Sequence, residues 1–519
     1  MRTQRAIVIG AGIGGMVAAL DLARAGFAVT ILERAAAPGG KVCEVPVGTV
    51  LIDSGPTVLT LRHVFDQVFD DAGACLDERL VLRPAEILAR HAWDDRGHLD
   101  LFADPGRTAD AIGRFAGAAE ARGYEAFRIR AREIYRTLDP SFLRAQRPSM
   151  VELMARTGVA PLARISPFTS LAASLAVNFR DPRLRQLYGR YATYCGSSPN
   201  LCPATLMLVA HVEQEGVWLI EGGMHRLVRA LAALAEENGV AIRYGSRVAD
   251  ILVADQGAAG VTLESGERLA ADHVICNADA QAIAAGHFGM SCRHAVAPLP
   301  PRMRSLSAMT WAMQVRTSGF PLDRHNVFFS DAANSEFDDI FTHGRLPGRP
   351  TLYVCAQDRG DPASDAPPGV ERLFCLINAP ATGDRHDFSS TEIKQCRTRM
   401  TAAMNRCGLT LDPPSAETVT TPNEFADRFP ATGGALYGPA SHGWMASFRR
   451  PGARSRLRGL YLAGGSVHPA PGMPMAALSG RLAAACVIAD RASTTGSRRA
   501  AMSGGTSMRS ATMGAPASP

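Results

Sequence analysis

The start of the chain alternates strand-like apolar runs with a helical periodicity. Residues 5–10 (RAIVIG) form a short apolar run, which is typical of a strand covered on both faces of a parallel sheet. Apolar positions in residues 14–25 recur with helical spacing, and Gly26 follows where such a helix ends. A second apolar run, residues 27–32 (FAVTIL), stops just before Glu33. The pattern predicts a βαβ unit of the nucleotide-binding type.

Strand-like patterns return twice later in the chain. Residues 240–276 alternate apolar and polar positions between glycine turns, and a helix is predicted before them over 224–237. Residues 457–465 are again strand-like, with a helix predicted over 479–489. We therefore predict an α/β fold whose Rossmann-like domain is discontinuous, with an interleaved α+β substrate domain. The predicted segments are 1–90, 220–285 and 420–492 for the first domain, 91–219 and 286–419 for the second, and 493–519 for a disordered tail that is small, polar and aperiodic.

Composition narrows the class of protein. With 519 residues, the chain is too long for one simple core, and 46% hydrophobic with 20% charged residues is typical of a globular protein. The net charge is +6 without a basic patch or stripe, so no nucleic-acid binding is expected. The 11 cysteines lack CxxC or zinc-type spacing, so no metal site is expected. Glycines interrupt the apolar N-terminal run, which argues against an export signal, and no bilayer span is expected elsewhere.

The first glycine-rich loop has the pattern of a dinucleotide site. GAGIGG provides Gly10, Gly12 and Gly15 as GxGxxG between the predicted strand and helix, and Gly14 lies in the same loop. These glycines allow a tight turn, a close approach of the backbone to a pyrophosphate, and close packing of helix and strand. Glu33, at the end of the next strand, is placed to bind the ribose of an adenosine.

The residues that follow Glu33 favour FAD over NAD. The stretch ERAAAPGGK carries a further glycine pair and a lysine, and IDSGPTVLT carries a Gly-Pro turn that would bring a threonine towards a flavin ring. The residues expected to contact FAD here are Gly39, Gly40, Lys41, Gly55, Pro56 and Thr57.

A second glycine- and proline-rich loop lies near the end of the chain. The sequence GGSVHPAPGMPMAALSG, residues 464–480, follows a predicted strand and leads into a helix expected to start near Met475. Because a flavin ring lies far from its adenosine, a second loop must hold the ring. Backbone amides at a helix start stabilise negative charge on the reduced ring. We therefore expect both glycine loops to contact one cofactor.

These stretches resemble a known family. GAGIGGMVAALDLARAGFAVTILE, APGGKV, DSGPTVLT, GVWLIEGGMHRLVRALAALAEENGV, VICNADA and GLYLAGGSVHPAPGMPMAALSG are similar to the phytoene desaturase family of FAD-dependent carotenoid desaturases. The resemblance implies a two-dinucleotide-binding flavoprotein fold, related to amine oxidases and GDP-dissociation inhibitors. Within the family, YATYCGSSPNLCPATLMLVAHVEQEGVW, HNVFFSDAANSEFDDIF and PTLYVCAQDRGD most resemble the 1-hydroxycarotenoid 3,4-desaturase branch.

The resemblance also implies roles for individual residues. The adenosine diphosphate of FAD would be held by the first glycine loop and Glu33, with help from the Gly39-Gly40-Lys41 stretch. The backbone of Val248 would meet the adenine. The residues implied at the flavin end are Gly465, Gly472, Met475 and Ala476.

The reaction implied is removal of two hydrogens from an acyclic carotenoid, which creates a C-3,4 double bond beside a 1-hydroxy or 1-methoxy end. FAD would take the hydride, and we expect Glu213 to assist loss of the proton, with oxygen or a membrane quinone as electron acceptor. The substrate is almost insoluble, so we expect a cytoplasmic protein that is peripheral on the inner membrane. Residues 157–177 are apolar with basic breaks, which suits a membrane interface or a domain core equally.

Other functions stay open at this point. Phytoene desaturase and carotenoid isomerase have the same fold and differ in the pocket for the end group. A flavin amine oxidase would act on a charged substrate. A non-enzymatic isoprenoid-binding escort would need no redox chemistry, and the second glycine loop argues against it.

Overall fold

The structure is a computed structural model, which describes residues 3–94, 97–165, 167–330, 335–362, 364 and 369–503. The strands are β1 (Arg5–Ile9), β2 (Ala28–Leu32), β3 (Glu44–Val47), β4 (Val50–Asp53), β5 (Leu82–Pro84), β6 (Ile87–Trp93), β7 (His98–Phe102), β8 (Trp218–Ile220), β9 (Ala241–Arg243), β10 (Val248–Ala254), β11 (Gly257–Leu263), β12 (Arg268–Ala270), β13 (His273–Cys276), β14 (Ser307–Gly319), β15 (His325–Phe329), β16 (Leu352–Ala356), β17 (Val370–Ala379), β18 (Leu409–Leu411), β19 (Ala416–Thr420) and β20 (Leu460–Leu462).

The α-helices are α1 (Ile13–Arg24), α2 (Arg62–Asp71), α3 (Leu76–Arg79), α4 (Pro105–Ala116), α5 (Ala118–Leu138), α6 (Met150–Thr157), α7 (Val159–Arg164), α8 (Leu171–Asn178), α9 (Pro182–Gly189), α10 (Leu208–Gln214), α11 (His225–Glu237), α12 (Ala280–Ala284), α13 (Ser335–Phe337), α14 (Ser390–Arg406), α15 (Pro422–Arg428), α16 (Ala446–Arg449) and α17 (Met473–Ser503). Short 3₁₀ or π turns lie at Asp139–Leu143, Arg190–Cys195, Ala204–Met207, Met290–Ala295, Pro301–Met303 and Asp338–Thr342.

A parallel sheet combines the beginning, the middle and the end of the chain. Its five strands have the order β20-β13-β1-β2-β9, and every neighbouring pair is parallel. Parallel neighbours require crossover connections, which α1 provides between β1 and β2. The predicted strands at 5–10, 27–32 and 457–465 all lie in this sheet. The predicted Rossmann-like α/β fold is therefore confirmed.

A second, mixed sheet has eight strands and belongs mainly to the segments predicted as the substrate domain. The order β18-β14-β17-β16-β15-β6-β7 is antiparallel except between β15 and β6, and β19 also pairs with β14. The predicted domain boundary at residue 90 lies inside β6, so the first residues of this strand of the mixed sheet precede the predicted boundary. Side chains alternate between the two faces, and one face carries His325, Val327 and Phe329, which places Val327 and Phe329 in the largest hydrophobic core.

The last helix packs closely on the first one. A Cβ on Gly480 would lie 2.3 Å from the Gly14 carbonyl oxygen, so the two helix backbones are in contact. Helix α17 is long and apolar enough over Met473–Ala492 to cross a membrane, but most of that stretch is buried, as in a core helix. The helix continues to Ser503 and so overlaps the first part of the predicted tail, 493–519. Residues 504–519 lie outside the described residues.

Candidate active site

The first glycine loop lines a large cavity with bare backbone. Gly10 has a φ of 98°, and Gly12 caps α1 without a side-chain hydrogen bond. A Cβ on Gly12 would lie 2.7 Å from the Asn277 amide nitrogen, and one on Gly15 would lie 2.2 Å from the Gly10 carbonyl oxygen. Gly10, Gly12 and Gly14 line the cavity, whereas Gly15 packs behind the loop. An uncapped helix start beside bare backbone suits a pyrophosphate.

Glu33 holds this loop in place from the end of β2. Its carboxylate accepts hydrogen bonds from the Ala11 amide at 2.7 Å and from the Ala35 amide at 2.8 Å, and it also lines the cavity. The Ser246 amide donates to the Glu33 carbonyl oxygen at 2.8 Å, which brings the start of β10 and Val248 to the same end of the cavity. This arrangement fits the predicted adenosine end.

The Gly39-Gly40-Lys41 stretch lies against the first loop, but its lysine points elsewhere. The Gly39 amide donates to the Ala11 carbonyl oxygen at 2.9 Å. The Lys41 ammonium donates to the Leu436 carbonyl oxygen at 2.6 Å and lies 5.1 Å from the centre of the Phe429 ring. Burial lowers the pKa of Lys41. Lys41 lines the cavity, yet its charge contacts a loop near the end of the chain.

The second glycine loop closes on the first. Gly464 has a φ of 106° and Gly472 a φ of 114°, and α17 begins at the next residue. A Cβ on Gly14 would lie 3.0 Å from both the Ala476 carbonyl oxygen and the Gly464 amide. The predicted residues of the second loop that line the same cavity are Gly465, Gly472, Met475 and Ala476, and the predicted Gly-Pro turn contributes Gly55, Pro56 and Thr57.

The cavity has room for a dinucleotide and a second ligand. Its volume is about 1300 Å³, which exceeds the roughly 300–1,000 Å³ of ordinary small-molecule sites. Beyond the glycine loops its walls are mainly apolar. The apolar lining there includes Leu138, Phe142, Leu143, Leu206, Leu208, Val209, Val212, Phe374 and Leu376. The volume and the lining have room for a flavin cofactor at the glycine loops together with an apolar ligand.

Glu213 is a buried acid on the helical wall. It lies on α10, is 7% exposed, and accepts a hydrogen bond from the Tyr191 hydroxyl. Burial raises the pKa of Glu213, and the hydrogen bond from Tyr191 and the nearby Arg190 charge oppose this rise to a smaller degree. The AHVEQEGVW stretch has two other titratable residues, His211 and Glu215. His211 Nε2 lies 3.4 Å from Glu215 Oε1, and neither residue lines the cavity.

The sequence did not single out several polar residues of the cavity. Asn277 directly follows β13 and contacts the first loop, as expected for a residue at the carboxyl end of a parallel strand. Arg190, Tyr353 and His325 also line the cavity. They come from a 3₁₀ turn and from two strands of the mixed sheet, so no local spacing connects them.

Comparisons with known proteins agree with this geometry. The family model for flavin containing amine oxidoreductases matches residues 13–488. The chain is 54% identical over 523 residues to the hydroxyneurosporene desaturase of Rubrivivax gelatinosus, with 99% of each chain covered. It is 45% identical to the hydroxyneurosporene desaturase of Cereibacter sphaeroides, with 94% of this chain and 98% of that one covered. An oxidoreductase of known structure from Methanosarcina mazei has a TM-score of 0.61 at 18% identity, covering 92% of this chain and 99% of that one.

Proposed function

Since the chain belongs to the flavin containing amine oxidoreductases, and within them groups with the carotenoid desaturases, we propose that it uses FAD to desaturate an acyclic carotenoid. The new double bond is at C-3,4, next to a 1-hydroxy or 1-methoxy end. The observation that carries this proposal is the 54% identity to a hydroxyneurosporene desaturase over 99% of both chains. The glycine loops and the apolar cavity are consistent with it.

The chain supplies position, an apolar environment and a proton acceptor. Bound flavin supplies the oxidising power for taking a hydride from an allylic carbon. The apolar wall holds the polyene, and each CH₂-sized unit that it buries contributes about 0.8 kcal/mol. The neighbouring carbon loses its proton to the Glu213 carboxylate, which Tyr191 orients by its hydrogen bond.

The role of Glu213 is tested with a matched pair of variants. Glu213→Gln is expected to lower kcat about 100-fold with FAD still bound, which is the usual size of a general-base contribution. Glu215→Gln is the control, because Glu215 is 56% exposed, lies two residues away and does not line the cavity. A Glu213→Gln holoenzyme with the turnover of the control would remove Glu213 from the mechanism.

We also propose that the protein is cytoplasmic and docks on the inner membrane through four exposed apolar side chains, Val159, Phe168, Val177 and Trp444, which we name the apolar patch. Phe168 is 74% and Val177 is 87% exposed. The Phe168 and Trp444 rings meet edge to face at 5.1 Å. Such aromatic and aliphatic side chains favour the membrane interface. The patch adjoins the cavity, because Ser170 pairs with Pro203 and the turn that follows contributes Leu206 to the lining.

Vesicle binding tests the apolar patch. A Phe168→Ser/Val177→Ser double variant is expected to co-sediment several-fold less with anionic phospholipid vesicles than the wild-type protein. Met290→Ser is the control, since Met290 is also largely exposed but lies beside the three-stranded sheet β10-β11-β12. Equal sedimentation of the double variant and the control would contradict the patch.

The proposed reaction is tested directly with pigments. Protein, FAD and membranes are incubated with a 1-hydroxylated acyclic carotenoid or with phytoene, and the visible spectrum of the recovered pigment is recorded. The absorption maximum is expected to shift to the red, by the amount that one added conjugated double bond causes, with the hydroxylated substrate alone. Colour from phytoene instead would reassign the chain to the sibling activity. Oxygen or a membrane quinone reoxidises the flavin, and anaerobic turnover with and without added quinone separates these two acceptors.

A further inference from the structure

Three segments that are far apart in sequence meet on one wall of the cavity. They are the turn Arg190–Cys195, β15 and β16. Both strands and the turn from Tyr191 onward belong to the stretches that resemble the 1-hydroxycarotenoid branch, and Arg190 directly precedes the first stretch. The Arg190 guanidinium lies 5.2 Å from the centre of the Tyr194 ring and 5.4 Å from that of the Tyr353 ring. The fold therefore gathers the three stretches at one place.

A chain of hydrogen bonds crosses this wall. The hydroxyls of Thr57 and Tyr353 lie 2.6 Å apart, and the Tyr353 hydroxyl lies 2.8 Å from His325 Nδ1. We name Thr57, Tyr353 and His325 the end-group cluster. All three residues line the cavity. His325 is 2% exposed, and its Nε2 atom is buried without a hydrogen-bond partner in the structure. A buried polar atom of this kind is expensive unless a ligand satisfies it.

The chemistry of the unpartnered nitrogen selects a neutral polar ligand. Burial and the nearby charges of Arg324 and Arg190 lower the pKa of His325 to about 3, so the imidazole is neutral at physiological pH. The same two cations disfavour an ammonium ligand. In a neutral imidazole, Nε2 either donates or accepts, depending on the tautomer. A hydroxyl group does both and therefore satisfies Nε2 in either tautomer.

We propose that the end-group cluster binds the hydroxyl group at the 1-hydroxylated end of the carotenoid through His325 Nε2. This inference rests on the proposed function, which supplies a hydroxylated hydrocarbon as substrate. His325 is the residue that contacts the substrate, whereas Tyr353 and Thr57 are positioning residues that fix the imidazole.

The cluster is placed to choose which carbons react. The hydroxyl oxygen is four bonds from C-4, a reach of at most roughly 6 Å at about 1.5 Å per bond. Thr57 belongs to the Gly55-Pro56 turn that is predicted to approach the flavin ring. An anchor at this end of the cavity therefore keeps C-3 and C-4, rather than a later pair along the polyene, within reach of the cofactor.

The experiment compares two carotenoids that differ only in having a hydroxyl or a hydrogen at C-1. The holoenzyme is assayed for kcat/KM on each carotenoid. Binding is measured separately as the dissociation constant of each 3,4-desaturated product, from the perturbation of the flavin absorbance. Loss of one hydrogen bond to a buried group predicts that His325→Leu reduces the preference for the hydroxylated form about 10–100-fold in both measurements. His325→Gln, which places an amide near the position of Nε2, is expected to restore part of the preference.

His91→Leu is the matched control. His91 is also buried, with a pKa lowered to about 3, and it pairs in register with Val327 on the neighbouring strand, but it does not line the cavity. It is expected to keep the wild-type preference. If His325→Leu does not fold, Tyr353→Phe is the second test. It is expected to reduce the preference for the hydroxylated carotenoid by a smaller factor, because it removes only the hydrogen bond that orients His325.

The outcomes separate this inference from the proposed function. If the wild-type protein desaturates the hydroxylated carotenoid but His325→Leu keeps the wild-type preference in both measurements, the inference is overturned and the proposed function is unaffected. If the wild-type protein desaturates neither carotenoid, the proposed function fails. The binding comparison then still decides the inference, because a preference for the hydroxylated product that depends on His325 supports it and an absent preference overturns it.

Discussion

The contact between α1 and α17 predicts that one added methyl group weakens the cofactor site. In Gly480→Ala, the new Cβ would lie 2.3 Å from the Gly14 carbonyl oxygen and 3.1 Å from the Ala18 amide. The shorter distance is roughly 1 Å below an ordinary van der Waals separation. Both contacts are backbone atoms that cannot rotate away, so the helices must separate. Each helix begins in one of the two glycine loops, and their separation would move the loops apart.

Two opposing effects set the change in the free energy of unfolding. Overpacking of this kind destabilises the protein by about 1–3 kcal/mol. Replacement of glycine by alanine within a helix stabilises it by up to about 1 kcal/mol. We expect a net loss of about 1–2 kcal/mol. If the strain acts mainly on the holo arrangement of the loops, the flavin dissociation constant rises about 10-fold, since about 1.4 kcal/mol corresponds to that factor.

The assay is flavin binding by fluorescence quenching, together with the temperature at which flavin is released. Gly113→Ala is the matched control, because Gly113 is also inside a helix but a Cβ there would meet only the Ala121 Cβ at 3.7 Å. The control is expected to bind flavin as the wild-type protein does, or to be slightly more stable. If Gly480→Ala behaves like this control, the close contact of the helices does not hold the two loops together.

Two further predictions concern acidic residues. In Glu33→Ala, the amides of Ala11 and Ala35 lose a charged acceptor, which costs about 1.5–3 kcal/mol for each hydrogen bond. The flavin dissociation constant is therefore expected to rise at least 10-fold in a titration of the apoprotein. Unchanged affinity would contradict the role of Glu33. For Glu213, burial raises the pKa above its usual 4.5, so the protonated form is favoured by folding. Stability is therefore expected to fall as the pH rises from about 4.5 through the raised pKa, while kcat rises over the same window because a base must be ionised. Denaturation and turnover across this pH range, with Glu213→Gln as the flat reference in both, test the assignment.

Much of the cofactor site was accessible from the sequence because its determinants are local. The order of strand, GxGxxG loop, helix, strand and Glu33 needs only the spacing of residues within one βαβ unit, and the structure places these elements as predicted. The second loop was also identified from its own glycines and prolines. Lys41 shows the limit of this reasoning, since its ammonium contacts the Leu436 carbonyl oxygen and no local pattern reveals that partner.

The sequence by itself determined the parallel sheet, the two glycine loops and the kind of cofactor that they suit, because periodicity and backbone freedom are properties of short segments. Only the tertiary structure decided which side chains share the cavity. Thr57, Tyr353 and His325 come together through the turn after β4 and the register of β15 and β16, and the buried pair of Glu213 and Tyr191 comes from two separate segments. The apolar walls were hidden for a related reason. A tunnel for a hydrocarbon uses the same residue types as a core, so only the packing distinguishes a cavity from a filled interior.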